Sequence, residues 1–237
     1  MTNHMDTSLK PAALPSCRPP AIWCLPMSIF DESNLDSVHA AFAGATPCAL
    51  GQAWRAVVEP GFAPGHVRTG WRQDSLLLFA ELTGHNIFTN ATAANQRMWE
   101  LGDTFEIFLR SADRPEYVEF QVTPNNQQLQ LRFANHEALR RARVTNAFEE
   151  LLLPVNVFRS MTWVQPANQK WFVYASIPAI LVCGLDRLIA GGRWHFSFSR
   201  YAITHGGEPV ISSTSPHAAA DFHRQQEWGE LVFATVD

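Results

Sequence analysis

The sequence predicts an all-β fold: an antiparallel two-sheet β-sandwich of the jelly-roll or immunoglobulin-like kind, with helix confined to short pieces. Three observations predict it. Many short runs alternate apolar and polar residues with a period of two, as strands with one buried face do. The segments between them are rich in Gly, Pro, Asn and Thr, which is turn chemistry. Only residues 136–143 carry a clear helical pattern.

Along the chain, residues 1–20 are rich in Pro, Ser and Ala and read as an extended segment ahead of one domain over residues 21–237. Residues 21–30 are apolar enough for an edge strand. Residues 36–43 allow one or two helical turns. Residues 51–59 read as a strand, and Pro60-Gly61-Phe62-Ala63-Pro64-Gly65 as a loop. Residues 76–82 form a buried strand. The long Asn-, Thr- and Ala-rich connection over 83–98 delivers Trp99 to the next strand, which makes it a candidate binding loop. Three alternating runs follow over 99–133, then the helix at 136–143, whose Arg140, Arg141 and Arg143 read as a solvated face. Further strands are expected over 171–177, 194–201 and 229–234, with a short turn or helix at 180–185.

Composition excludes several classes. Of the 237 residues 46% are hydrophobic and 17% charged, which suits a packed core and not a disordered chain. The formal net charge of −4 argues against nucleic acid or an anionic membrane surface as a partner. No apolar run approaches the ~20 residues of a membrane-spanning helix. The first ten residues are polar and no apolar core follows, so the expectation is a cytoplasmic chain. Cys17, Cys24, Cys48 and Cys183 lack paired or metal-ligand spacing, and free thiols are expected.

The three strands within residues 99–133 carry the most information. On the middle one Val118, Phe120 and Val122 point one way, and Tyr117, Glu119 and Gln121 the other. On the last, Leu129, Leu131 and Phe133 alternate with Gln130 and Arg132. Glu106 is opposite in parity to Phe105, Ile107 and Leu109. If the three strands are neighbours, one face collects Glu106, Tyr117, Glu119, Gln121, Gln130 and Arg132. Carboxylates and Arg engage vicinal hydroxyls with charge-assisted hydrogen bonds, and an aromatic ring covers the C–H patches of a sugar. A cross-strand Glu119–Arg132 pair with no ligand would look the same at this level.

The order of motifs resembles the family 9 carbohydrate-binding modules and the wider DOMON-like β-sandwich group. The likeness rests on Ser75-Leu76-Leu77-Leu78-Phe79-Ala80-Glu81-Leu82, on Trp99-Glu100…Asp103-Thr104-Phe105-Glu106-Ile107-Phe108-Leu109, and on Tyr117…Glu119-Phe120-Gln121-Val122. It continues through Ile177-Pro178, Trp194…Phe196-Ser197-Phe198-Ser199-Arg200 and Phe222-His223…Trp228-Gly229-Glu230-Leu231-Val232-Phe233. The resemblance implies a non-catalytic module in which two aromatic side chains hold a terminal sugar and polar side chains bind its hydroxyls. Trp99 matches the first aromatic and Glu106 the acid on the following strand, although Gly102 lengthens the intervening segment by one residue. Phe222 falls at the second aromatic position, usually Trp, and Gln121 stands where Arg is usual. The candidate sugar-binding residues are therefore Trp99, Glu106 and Phe222 from the resemblance, and Gln121 and Arg132 from parity. His223 joins them from its place beside Phe222. A carbohydrate ligand is expected, with no metal and no cofactor.

Other chemistries fit less well. A haem or other redox cofactor would need a pairing such as Met98 with His195 or His223. Glycoside hydrolysis would need Asp103 or Glu119 to work with Glu106. Ser212-Ser213-Thr214-Ser215 reads as a loop and lacks the glycines of a nucleophile elbow. A structural or interaction module without a ligand is the remaining alternative.

Overall fold

A computed structural model describes residues 18–203 and 208–235. The expected lead-in over 1–20 lies almost wholly outside these residues, as does Cys17. The described chain is mostly β. Its strands are β1 (Ala21–Pro26), β2 (Cys48–Ala49), β3 (Gly65–Arg72), β4 (Ser75–Thr83), β5 (Thr104–Ser111) and β6 (Tyr117–Val122). They continue as β7 (Gln128–Phe133), β8 (Arg159–Gln165), β9 (Lys170–Pro178), β10 (Arg193–Ala202), β11 (Val210–Ser213) and β12 (Gly229–Phe233). The helices are α1 (Leu35–Phe42), α2 (His136–Thr145) and α3 (Ile180–Cys183).

The strands form one connected path in the order β7-β6-β5-β10-β12-β1-β3-β4-β9-β8, with β11 on β10 and β2 on β3. All pairings are antiparallel except those of β1, which runs parallel to both β12 and β3. Residues 21–24 of β1 pair with β12, and Leu25 and Pro26 pair with β3. The expected edge strand is therefore the seam between two halves of the path. Its inward side chains Ile22 and Cys24 are buried, which an edge position would not require.

One large apolar cluster takes alternate residues from both halves. It includes Leu76, Leu78, Ala80 and Leu82 of β4 and Trp171, Val173, Ala175 and Ile177 of β9. From the other half come Phe105, Ile107, Leu109, Val118, Phe120, Val122, Phe196 and Phe198. Burial of this apolar area is the dominant stabilising term.

Three further sequence expectations are corrected. Residues 51–59 are not a strand: Gly51 makes a single bridge to Ser213, and Gln52 turns inward to donate to the Ile211 carbonyl at 2.8 Å. Ser212 and Ser213, expected in a loop, lie on β11 paired with β10. The third concerns β7. Tyr117 stands opposite Phe133, Glu119 opposite Leu131 and Gln121 opposite Leu129. Leu129, Leu131 and Phe133 thus share the face of the polar residues, and Gln130 and Arg132 share the face of Val118 and Phe120. A one-residue change of register exchanges the two faces of a strand. It is stabilised here because a second apolar cluster covers that outer face, with α2 contributing Ala138, Leu139 and Ala142.

Candidate functional site

The outer face of β5 and β6 holds a buried polar row. Glu106 pairs in register with Gln121, and Phe108 with Glu119. Gln121 is fully buried, and Glu106 and Glu119 are nearly so. The Gln121 amide nitrogen donates to Glu106 Oε1 at 2.8 Å and to Glu119 Oε1 at 2.5 Å. His223 places Nε2 3.6 Å from Glu119 Oε2, while its Nδ1 lies 2.9 Å from the Tyr117 hydroxyl.

The electrostatics follow from burial. Desolvation raises Glu106 well above the usual carboxylate range, and the neighbouring Glu119 raises it further. Burial lifts Glu119 to about 7, against the lowering effects of the Gln121 hydrogen bond and Arg143. Burial, with Arg143 adding to it, drives His223 down to about 3, so the ring is neutral near pH 7.

Above this row opens a cleft of about 400 Å³. Its walls are aromatic: Trp99, Phe108, Phe148, Tyr201 and Phe222. Trp99 sits in a 3₁₀ turn, Met98–Glu100, half-buried, with its ring 5.7 Å from Phe148. Phe222 is 4% exposed and is a back wall packed among Trp54, Phe108 and Tyr201. Trp228 supports it by donating its indole N–H to the Phe222 carbonyl at 2.7 Å.

Behind Phe222 runs a buried row of hydrogen bonds. Ser197 Oγ lies 3.3 Å from His217 Nε2, and His217 Nδ1 lies 3.1 Å from Glu227 Oε2. Ser197 and His217 are fully buried, and the His217 ring packs 5.9 Å from Phe222. Enclosed in this way, the row braces the wall.

The structure therefore brings Trp99, Glu106, Phe222 and His223 to one cleft, with Gln121 bridging the acids of its floor. It does not bring Arg132. That side chain points through the opposite face and donates to the Leu181 carbonyl at 2.8 Å. The alternation of β7 favours Leu129, Leu131 and Phe133 as a buried set, but it does not say which of two buried faces they enter. Nor is Asp103 near the floor. Its carboxylate accepts from the Phe88 N–H at 3.0 Å and lies 3.5 Å from the buried guanidinium of Arg200. It anchors the loop that carries Trp99. Gly102 completes that anchor: its φ is +152°, and a Cβ there would lie 2.5 Å from the Phe88 carbonyl oxygen.

Several lining residues escaped the sequence reading. Arg97 donates to Asn146 Oδ1 at 2.7 Å and to its carbonyl at 3.0 Å, and lies over the Phe148 ring. Arg143, read as part of a solvated basic face, reaches Asp221 at 3.1 Å across the cleft rim. The usable signal was the end of α2: Asn146 takes the left-handed conformation, φ 56°, that stops the helix and turns Phe148 toward the cleft.

The expected cofactor-free, metal-free site can be set beside the residues present. Both ring nitrogens of His223 are engaged by Glu119 and Tyr117, so it is not disposed as an axial haem ligand. Among the described residues no group of three His, Cys, Asp or Glu side chains is placed to hold a metal ion. Cys24, Cys48 and Cys183 are free thiols.

No family model matches this chain, and no curated protein does. Solved structures do. A Bacteroides uniformis protein described as a candidate carbohydrate-binding protein is 15% identical and superposes with a TM-score of 0.68, covering 90% of this chain and 99% of its own. A family 9 carbohydrate-binding module from Caldicellulosiruptor kristjanssonii, in complex with cellotriose, is 14% identical with a TM-score of 0.64, covering 92% and 95%. A structure of such a module from the same organism in complex with glucose gives 15% and 0.61, covering 92% and 97%. At these identities the likeness shows architecture alone: the chain has the fold of a family 9 carbohydrate-binding module.

Proposed function

We propose that this chain is a non-catalytic carbohydrate-binding domain, and that the cleft between Trp99 and Phe222 receives a terminal sugar. The single observation that carries the reading is the combination of burial and polarity. Two buried acids, Glu106 and Glu119, line the base of an open cleft, bridged by the buried Gln121 amide, with an accessible Trp at its mouth. Buried polar groups are costly unless partnered. A cleft that keeps them beneath an aromatic wall is suited to a ligand rich in hydroxyls and C–H faces. In this reading the two halves of the strand path are the facing layers of a sandwich, and the cleft lies on the outside of one layer. The two carboxyls share one amide donor on the floor, and we assign them to hydroxyl binding. The neighbours solved with cellotriose and glucose support the ligand class.

The test is a calorimetric screen of mono- and disaccharides against the full chain and its Trp99→Ala variant. Saturable binding of a sugar, weakened by roughly 1–3 kcal/mol in the variant, is expected from loss of one aromatic contact. Absence of binding across the screen overturns the reading.

A further inference from the structure

The floor of the cleft has a charge imbalance that a neutral sugar does not correct. Four acids line the cleft, Glu100, Glu106, Glu119 and Asp221, and its two arginines are Arg97 and Arg143. Both arginines are engaged at the rim, Arg97 with Asn146 and Phe148 and Arg143 with Asp221. The acids left without a cation are the buried ones. Among the described residues Glu106 has one hydrogen bond, from Gln121, and no ion pair, although it is 3% exposed and lines the cleft. Among the described residues, the one basic side chain within ion-pairing distance of Glu119 is His223, at 3.6 Å. The bridging amide is incompletely satisfied as well. The Gln121 carbonyl oxygen is buried with no donor among the described residues.

We infer that the ligand of this cleft carries a primary ammonium group, so that the sugar is an amino sugar whose cation sits between Glu106 and Glu119. This inference rests on the carbohydrate-binding reading. An ammonium offers three donors and one positive charge in a compact group. It can meet the free oxygens of both acids, where a hydroxyl brings a single donor and no charge. The remaining hydroxyls fall to Asp221, Arg143 and Asn146 at the rim, and the C–H face to Trp99. The carboxyls' titration agrees with this. Burial raises both adjacent carboxyls above the usual range, and Glu119 titrates at about 7. The groups around them are Tyr117, Tyr201, His223, Asp221 and Arg143. Of these only Arg143 is a cation near neutral pH, and it is paired. An arriving ammonium ionises the acids, and the displaced proton passes to the buffer.

Calorimetry on the full chain with glucosamine, glucose and N-acetylglucosamine, in two buffers of different ionisation enthalpy at about pH 7, tests this. Glucosamine is expected to bind about tenfold or more tightly than glucose, the equivalent of one added charge-assisted contact. Its heat depends on the buffer as a proton is released. N-acetylglucosamine, which lacks the charge, loses the advantage. Glu106→Gln brings the ratio of glucosamine to glucose affinity down toward one, whatever it does to glucose binding itself. Equal affinity for glucosamine and glucose, with no proton release, overturns the ammonium inference and leaves the carbohydrate reading standing. No binding of any of the three, nor of the wider sugar screen, overturns both. The wild-type comparison decides the matter even if the variant does not fold.

Discussion

The two faces of β5 and β6 are buried to the same degree and built for different purposes. Inward, Phe105, Ile107, Leu109, Val118, Phe120 and Val122 are all within 2% of complete burial and belong to the main apolar core. Outward, Glu106, Glu119 and Gln121 are as enclosed, yet hydrogen-bond among themselves beneath a cleft. Burial alone therefore does not distinguish an apolar core from a polar row beneath a cleft. What distinguishes them is the free-energy balance: the inner face gains from desolvation, whereas the outer face keeps polar groups at a cost that a ligand can offset.

Substitutions on each face should separate these roles. The largest effect is expected inside. Phe120 is fully buried with its ring 4.8 Å from Phe158, and Phe120→Ala should destabilise the domain by roughly 3–5 kcal/mol in denaturant unfolding. A loss of sugar affinity at unchanged stability would break the comparison. Outside, Trp99→Ala should do the reverse, with binding weakened by roughly 1–3 kcal/mol and the unfolding midpoint close to wild type.

A smaller effect concerns pH. Glu119 has its pKa raised from 4.5 to about 7 in the folded chain, so its contribution to stability is full below about 4.5 and is lost as pH rises through 7. His223 has its pKa lowered from 6.5 to about 3, so its contribution is full above 6.5 and is lost as pH falls toward 3. The two slopes oppose one another between about 4.5 and 6.5. Glu119→Gln should make stability fall less steeply with pH across that window, because one opposing carboxyl is gone while Glu106, also raised by burial, still works against the His223 slope. A pH profile identical to wild type would show that the floor is not ionised as described. The smallest expected effect is none: Arg132→Ala should leave sugar affinity unchanged, because Arg132 reaches Leu181 and not the cleft. Weakened binding would return β7 to the parity that its sequence suggested.

Much of the fold was legible because a strand whose two faces differ in polarity writes its period into the sequence. On β5, β6 and β10 apolar and polar residues alternate in this way although both faces are largely buried. Alternation does not say which of two buried faces receives which set, and Arg132 is the clearest case. Leu129, Leu131 and Phe133 mark a buried face, but α2 covers a second one, and alternation is symmetrical between them. It also fails at β1, whose parallel partners lie far away in the chain, and over residues 51–59, where Trp54 and Gln52 turn inward from an irregular segment. At the cleft, Trp99, Glu106, Phe222 and His223 were named because motif and strand position carry them. Arg97, Arg143 and Phe148 were not, since a loop and a helix end bring them in through tertiary contacts that no local period encodes.

The central claim is that the polar outer face under Trp99 is the ligand cleft. The most direct measurement follows the tryptophan indole N–H resonances during a sugar titration. Trp99 lines the cleft, and Trp23 is 66% exposed on β1 away from it. The account predicts a saturable shift of the Trp99 signal, assigned through Trp99→Phe, with Trp23 unmoved. A stationary Trp99 signal, or a saturable shift at Trp23 in its place, would contradict it.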